Sequence, residues 1–167
     1  MSVISVSLRD NSLDLPAYAT EGSACFDIRA YFREAEIIQA YNKSNTPKEL
    51  VVDASDSLLI PPDHRVAVPT GQSWAIPSAF CVLLHPRSGL SFSRGLVLIN
   101  QTGVIDSDYR DEVKVLLHNV SSKNQIILSG DRIAQGEFRT VLTPSFYTTE
   151  RLNKTKRKGG LGSTGVK

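Results

Sequence analysis

The feature that most constrains the fold is a succession of short strand-like segments separated by turn residues. Nine such segments occupy residues 3–8, 25–30, 58–60, 65–69, 79–84, 96–99, 112–120, 125–128 and 133–142. Proline, glycine and aspartate cluster between them, as in Pro61-Pro62-Asp63. Short strands at this spacing are typical of a sandwich or a jelly roll. We therefore predict an all-β chain in which residues 88–93 form a single short turn of helix.

Composition narrows the class of protein. The 167 residues are enough for one domain with a sizeable core. No apolar stretch approaches the roughly 20 residues of a membrane span, and no signal peptide opens the sequence. We therefore expect a cytoplasmic protein, or one of the host cytoplasm if the source is viral. The net charge of +2 argues neither for nor against a nucleic-acid partner.

Cysteine and histidine content argues against structural metal sites and disulfides. The two cysteines, Cys25 and Cys81, each lie in a strand-like apolar segment, so we expect two free thiols. The three histidines have no metal-ligand spacing to each other or to the cysteines, which argues against structural zinc.

One stretch combines a tight turn with a carboxylate and an aromatic ring. Asn100 and Gly103 form the turn after the apolar segment 96–99, and Asp106 and Tyr109 follow before the next alternating strand. The pattern predicts a β-hairpin with a fixed carboxylate at its mouth. Such a carboxylate can orient and deprotonate a water. The structural alternatives are a solvated turn for the aspartate and a core position for the tyrosine.

A second stretch contains the parts of a phosphate cradle. Arg87, Ser88 and Gly89 follow a strand and open the short helical turn. Glycine lets backbone N–H groups approach an anion, serine adds a donor, and arginine supplies positive charge. The alternative is an ordinary loop with a surface arginine.

Five segments of the sequence, in order, resemble the five motifs of the homotrimeric dUTP pyrophosphatases (dUTPases). They are residues 22–28 (GSACFDI), 85–91 (HPRSGLS), 100–109 (NQTGVIDSDY), 130–135 (GDRIAQ) and 157–165 (RKGGLGSTG). The resemblance runs from about residue 3 to residue 165. Each motif is weak alone, whereas five in this order are a specific signal.

The resemblance implies a fold, an activity and an assembly. The fold is a distorted jelly-roll β-barrel of mostly antiparallel strands over residues 1–147. A flexible C-terminal arm over residues 148–167 closes over the active site. The activity is hydrolysis of dUTP to dUMP and pyrophosphate by in-line attack of water on the α-phosphorus, with Mg²⁺ as cofactor. The implied assembly is a homotrimer with shared active sites and no direct binding of nucleic acid.

The resemblance also implies roles for individual residues. Asp106 is the catalytic residue, and Asp27 holds water molecules around Mg²⁺. The residues implied to bind substrate are Arg87, Ser88, Gly89, Asn100, Gly103, Val104, Ile105, Tyr109, Lys114, Gln135, Arg157, Gly160, Leu161, Gly162 and Ser163. The role of Arg132 is open, because it either joins this site or is structural, paired with Asp131 or Asp27.

Several positions depart from the family pattern. Cys25 and Asp111 stand where the family has glycine, and Leu161 stands where it usually has phenylalanine. Lys156 occupies the usual place of the arm's arginine, and Arg157 follows it. Lysine lacks the bidentate fork of arginine, so the two are not equivalent as phosphate ligands.

Residues 34–57 are the least regular part of the sequence. Residues 34–41 have helical propensity, a polar stretch follows, and the whole resembles an insertion into the family pattern. A surface excursion is one interpretation, and a partner-binding or regulatory element is the other. Two alternative functions stay open: a dCTP deaminase-like or bifunctional enzyme of the same fold, and a nucleotide-sensing regulatory protein that acts through residues 34–57.

Overall fold

The computed structural model describes residues 3–156 and 159. Twelve short strands and one helix occupy this part of the chain. The strands are β1 Ser5–Leu8, β2 Phe26–Arg29, β3 Ile37–Tyr41, β4 Pro47–Val51, β5 Ser57–Ile60, β6 Arg65–Ala75, β7 Phe80–His85, β8 Leu96–Leu98, β9 Gly103–Ile105, β10 Glu112–Asn119, β11 Gln125–Leu128 and β12 Arg132–Thr140. The helix α1 spans Ser88–Arg94 and lies between β7 and β8. The all-β prediction with one short helix is confirmed.

The strands pair antiparallel in two main sheets. The larger sheet has the order β4-β3-β6-β10-β8, and β1 pairs with the second half of β6. The smaller sheet has the order β2-β12-β7-β9. Strands β5 and β11 form a separate pair. Sequence neighbours such as β8 and β9 lie in different sheets, which is the connectivity expected of a jelly roll rather than of a simple meander.

A single hydrophobic core lies between the sheets. On β10 the side chains of Val113, Val115 and Leu117 are fully buried, whereas Lys114 and Leu116 alternate with them on the outward face. Period-two alternation of this kind is what one buried face of a strand produces. The smaller sheet adds to the same core Phe26, Ile28, Val82, Leu84, Ile133 and Ala134. Burying each of the larger aliphatic side chains is worth about 1.5–3 kcal/mol before entropy is counted.

The segment between β8 and β10 is more than the simple hairpin predicted from sequence. The two flanking strands do pair, with Leu98 opposite Leu117. Strand β9, however, leaves this hairpin and pairs with β7 in the smaller sheet, with Gly103 opposite Leu84. Ile105 is buried there, and its packing against β7 holds the middle of the segment in the smaller sheet. The segment that precedes Asp106 is thereby anchored in both sheets.

The helical propensity of residues 34–41 is overridden, because this segment forms strand β3 of a β3–β4 hairpin. Ile38 and Ala40 are buried, while the other residues of β3 are exposed. The strand pairs with β6. The turn of the hairpin uses Asn45 at φ 59°. A pure surface excursion is therefore wrong for β3, since two of its side chains belong to the core. Strand β4 remains largely exposed.

Three further observations bear on the predictions from composition. Cys25 and Cys81 are both free thiols. Among the described residues, no helix is long and apolar enough to cross a membrane. The described part of the C-terminal arm, residues 148–156, contains no helix or strand.

Candidate active site

A polar cavity of about 310 Å³ lies where β7 runs into α1. Its lining includes Arg87, Ser88, Gly89 and Gln135, four of the residues that the sequence predicts to bind substrate. The first three come from the β7–α1 junction and the fourth from the neighbouring strand β12. The structure therefore brings the predicted phosphate-binding residues together in one place.

Strand pairing and a helix start explain this arrangement. Gln135 lies opposite both His85 on β7 and Asp27 on β2, so it sits at the end of the three paired strands. Its amide Nε2 donates to the carbonyl of Pro86 at 3.0 Å and ties the loop to the sheet. Arg87 caps the helix in an extended conformation without a side-chain capping bond. Helix starts leave backbone N–H groups available for other acceptors.

Positive charge at this site is balanced by one carboxylate. Asp27 Oδ1 lies 3.4 Å from Arg87 Nε, and Asp27 Oδ2 lies 3.2 Å from Arg132 Nη1. Of the two carboxylates considered for Arg132, the structure pairs it with Asp27. Asp131 instead accepts from the backbone N–H of Leu128 at 3.0 Å and closes the β11–β12 turn. Asp27 thus contacts Arg87, while Asp27 and Arg132 themselves line a neighbouring cavity. The role of Asp27 at the site stays a prediction.

The turn at Asn100 and Gly103 is tight. Gln101 adopts φ 59°, and the N–H of Thr102 donates to the carbonyl of Asn100 at 2.6 Å. A Cβ added to Gly103 would stand 3.1 Å from the Leu84 Cβ and 3.2 Å from the Asn100 Nδ2. A side chain at Gly103 would therefore crowd both Leu84 of β7 and the Asn100 amide.

Asp106 and Tyr109 form the ends of a surface turn. The N–H of Tyr109 donates to the carbonyl of Asp106 at 3.2 Å, and the Asp106 side chain is exposed. The phenol of Tyr109 donates to the carbonyl of Glu112 at 3.1 Å. Partial burial, followed by the charges of Asp111 and Glu112, raises the pKa of Tyr109, so the phenol stays protonated and keeps donating. The ring remains 38% exposed, which excludes the core alternative.

The predicted base-pocket residues do not all lie on one surface of a single chain. Val104 is 57% exposed on the outward face of the smaller sheet. Lys114 lies on the outward face of the larger sheet, opposite Pro69, which has no N–H to donate to the ladder. The cavity that contains Arg87 is lined by none of the hairpin residues. Within the described part of one chain, this cavity and the hairpin turn are therefore formed by different residues.

Two residues of the cavity were missed in the sequence. Ser93 and Arg94 line it together with Arg87. Arg94 is held by Gln125 Oε1 at 3.2 Å and by the carbonyl of Ile126. For Ser93 the sequence did contain a signal. Positions four apart on a helix share a face, and Ser93 follows Gly89 by four.

A second charged cluster adjoins the cavity on the same outward face. His85 Nε2 lies 2.9 Å from Glu137 Oε2, and Arg139 Nη1 lies 2.8 Å from Glu137 Oε1. The hydrogen bond from Arg139, followed by that of His85, lowers the pKa of Glu137. Burial, with a smaller effect of the Glu137 charge, raises the pKa of the Cys25 thiol, which makes this cysteine a poor nucleophile.

The remaining predicted residues belong to the C-terminal arm. Arg157, Gly160, Leu161, Gly162 and Ser163 lie outside the described residues. Their assignment to the site stays a prediction.

The fold is therefore of the all-β jelly-roll class, with a cavity lined by arginine and serine side chains where β7 runs into α1. A family model described as dUTPase matches residues 49–165. The deoxyuridine 5'-triphosphate nucleotidohydrolase of Brucella melitensis (biotype 2) is 40% identical over 155 residues, which cover 92% of this chain and 86% of the relative. The protein of the same name from Caulobacter vibrioides is 38% identical, with 92% and 87% covered. The chain therefore belongs to the dUTPase family.

Solved structures share the fold at lower identity. A mutant Staphylococcus bacteriophage 80alpha dUTPase with dUpNHpp superimposes with a TM-score of 0.76 at 19% identity, and 99% of this chain and 100% of that chain are covered. The dUTPase from Streptococcus mutans gives a TM-score of 0.64 at 22% identity, with 84% and 98% covered. The jelly-roll prediction is confirmed by these matches.

Proposed function

We propose that this protein hydrolyses dUTP to dUMP and pyrophosphate by in-line attack of water on the α-phosphorus. The relatives from Brucella and Caulobacter carry the name of this activity, and they favour neither the deaminase nor the regulatory alternative. The observation in this chain that carries the proposal is the cavity in which Arg87, Ser88, Gly89 and Gln135 meet. The expected location stays the cytoplasm, or the host cytoplasm for a viral source.

The cavity is suited to a triphosphate. Arg87 offers a planar guanidinium for phosphate oxygens, and Ser88 offers a hydroxyl at the start of the helix. Gly89 has nothing within 4 Å of the position of a Cβ, so its backbone is open to a ligand. The amide of Gln135 adds a neutral donor. Fixed donors of this kind hold the charge of the leaving pyrophosphate.

The hairpin turn is suited to uracil. The amide of Asn100 matches the carbonyl and N–H edge that uracil presents, with the backbone of Val104, Ile105 and Lys114 completing the contacts. We expect the narrow turn at Gly103 to exclude the methyl group of thymine. Cytosine exchanges the donor and the acceptor, so it would leave buried polar groups unpaired, which is a strong basis for rejection.

Tyr109 is suited to the sugar. Its ring is part-exposed and its phenol is fixed to Glu112, so the ring offers a rigid flat surface. Stacked under the deoxyribose, it leaves no space for a 2′-hydroxyl. The same turn presents Asp106, which places the carboxylate beside the sugar and the α-phosphate.

Asp106 is the proposed catalytic residue. Its side chain is exposed at the turn, where a water can reach it. Its carboxylate orients a water for attack opposite the leaving oxygen and accepts the proton that the water loses. The backbone bond from Tyr109 to the Asp106 carbonyl holds this turn in place.

The donor set fits Mg²⁺ that is bound through water. The described residues contain no group of three or more His, Cys, Asp and Glu side chains that could enclose a metal directly. Mg²⁺ commonly keeps several waters and uses one or two carboxylates with the substrate's own phosphates. Asp27, which pairs with Arg87 of the cavity, would hold those waters. When bound, Mg²⁺ supplies positive charge to the phosphate oxygens.

We further propose a homotrimer in which each active site is shared between chains. In one chain the phosphate cavity and the hairpin mouth are separate, so a complete site needs a second copy. The segment that follows β12 carries large apolar side chains that nothing in the described part of one chain covers: Leu142, Phe146 and Tyr147 are each about 90% exposed. Apolar side chains exposed in this way mark a surface that another chain covers.

The arm residues and the β3–β4 hairpin have proposed roles as well. Arg157, Gly160, Leu161, Gly162 and Ser163 would close over the bound triphosphate and uracil, because glycine-rich, basic segments order on an anion rather than on a core. A protein partner at residues 34–57 stays a prediction, supported by the exposed side chains of Ile37 and Val51.

Product analysis tests the proposed function. The pure protein is incubated with dUTP, dCTP or dTTP and Mg²⁺, and the products are separated by ion-exchange chromatography. The expected result is dUMP and pyrophosphate from dUTP, with dCTP and dTTP unchanged. Release of ammonia from dCTP would support the deaminase instead, and inert dUTP would contradict the proposal.

A further inference from the structure

Arg132 reaches the site face of its strand only because β12 is irregular. Arg132 and Gln135 are three positions apart, so a regular strand would point them to opposite faces. The pairing register with β2 shifts between Arg132 and Ala134, and Ile133 and Ala134 are both fully buried in succession. A bulge re-aims a side chain in this way, and bulges are over-represented next to active sites.

Arg132 contacts both members of the neighbouring ion pair. Its guanidinium Nη1 lies 3.2 Å from Asp27 Oδ2, while its backbone carbonyl accepts from Arg87 Nη1 at 3.1 Å. Arg87 Nε lies 3.4 Å from the other oxygen of Asp27. One oxygen of the Asp27 carboxylate thus pairs with Arg87, and the other pairs with Arg132.

From this geometry, and resting on the proposed function, we infer that Arg132 is a positioning residue for the triphosphate site. It keeps the Asp27 carboxylate paired and in place when Arg87 turns from that carboxylate to the phosphates. Arg132 does this through Asp27 rather than by binding phosphate itself.

The charges explain why such a residue is needed. The Asp27 side chain is only 17% exposed. Without Arg132, the departure of Arg87 to the substrate would leave the carboxylate as a poorly solvated, unpaired charge. With Arg132 in place, the carboxylate keeps one cation after the other leaves. Arg132 thereby lowers the free energy needed to release Arg87 to the substrate. It also keeps Asp27 oriented toward the waters that it is proposed to hold.

Binding measurements on Arg132→Gln test the inference. Calorimetry with Mg²⁺ gives the Kd of the non-hydrolysable α,β-imido analogue of dUTP and the Kd of dUMP. We expect a loss of about threefold to fivefold for the analogue, the scale of a partly exposed ion pair, and less than twofold for dUMP. Arg132→Lys, which keeps the charge but not the fork, should recover part of the loss. Arg139→Gln, on the same strand beside Glu137, is the matched control and should bind both ligands as the wild type does. Thermal melts confirm that each variant is folded.

A double-mutant cycle with Asp27→Asn separates positioning from direct contact. If Arg132 acts through Asp27, adding Arg132→Gln to Asp27→Asn changes the Kd of the analogue by less than twofold. Additive losses would overturn the inference and make Arg132 a phosphate ligand. Equal weakening of dUMP and the analogue would overturn it in favour of a general structural role. Wild-type protein that binds neither ligand overturns the proposed function and this inference together, whereas normal wild-type binding with an unaffected Arg132→Gln overturns the inference alone.

Discussion

The backbone of Gly103 lies so close to Leu84 that a Cβ added to the glycine would stand 3.1 Å from the Cβ of the leucine. This contact joins β9 to β7, and therefore the hairpin of the larger sheet to the smaller sheet. The same Cβ would stand 3.2 Å from the amide nitrogen of Asn100. Gly103 thus lies against both the packing between the sheets and the Asn100 amide that is proposed to recognise the base.

Gly103→Ala is expected to weaken dUTP binding and to destabilise the fold. The added methyl group must displace Leu84 or Asn100, and overpacking of this kind costs about 1–3 kcal/mol. We expect a higher KM for dUTP and a lower Tm in thermal melts. Gly22→Ala is the matched control, because a Cβ there would meet nothing within 4 Å. Equal KM values for the two variants would show that the turn does not place the amide.

The fold was predictable where hydrophobic alternation is strong. Strand β10 alternates over its whole length and matches its prediction to within one residue. The pairing of β9 with the smaller sheet was not predictable, because a strand of three residues carries no sequence signal for the strand that it pairs with. In residues 34–41 local helical propensity competed with the burial of Ile38 and Ala40, and tertiary packing prevailed.

The candidate site was predictable in its residue types and not in its partnerships. Arg87, Ser88 and Gly89 lie in one cavity as their spacing suggested. The pairing of Arg132 with Asp27 depends on a bulge, which adds one residue to a strand without a sequence signal of its own. Arg94 was missed because its position in the cavity depends on contacts with β11.

Asp53→Asn is expected to destabilise the protein in a pH-dependent manner. Asp53 accepts from Ser57 and Ser55, and these hydrogen bonds lower its pKa well below the ordinary value. A carboxyl whose pKa is lower in the folded state stabilises the fold above its unfolded pKa, about 3.9, and loses that effect as pH falls through its folded pKa. The Tm difference between wild type and variant should therefore be larger at pH 7 than at pH 2. Asp63→Asn, which removes a loose ion pair with Lys43 (3.8 Å), is the control. A Tm difference that does not narrow in acid would refute the assignment.

Truncation after Asn153 is expected to cost turnover more than base recognition. The removed residues include the basic and glycine-rich part of the arm, whose charges suit a triphosphate. We expect a lower kcat/KM for dUTP with a nearly unchanged Kd for dUMP. Leu161→Phe should improve catalysis modestly, since an aromatic stack adds about 0.5–1.5 kcal/mol beyond area burial. Leu161→Ala should weaken catalysis more than Val166→Ala does. The arm has no closing function if both the truncation and Leu161→Ala leave kcat/KM unchanged.

The active protein is expected to be a homotrimer. The exposed side chains of Phe146 and Tyr147 need a covering surface, and the hairpin mouth needs the phosphate cavity of another chain. Multi-angle light scattering should give about three times the 18.3 kDa chain mass. Phe146→Ser combined with Tyr147→Ser should weaken the assembly and the activity together. A fully active monomer would refute the shared site.

The central claim is that Asp106 activates the attacking water, and Asp106→Asn tests it most directly. Asparagine keeps the shape of the side chain and removes its basic site, while Asp108→Asn provides a control in the same turn. Steady-state kinetics with dUTP and Mg²⁺ give kcat, and calorimetry with the imido analogue gives the Kd. We expect Asp106→Asn to lower kcat by about two to four powers of ten with little change in Kd. A variant that keeps more than half of the wild-type kcat would contradict it.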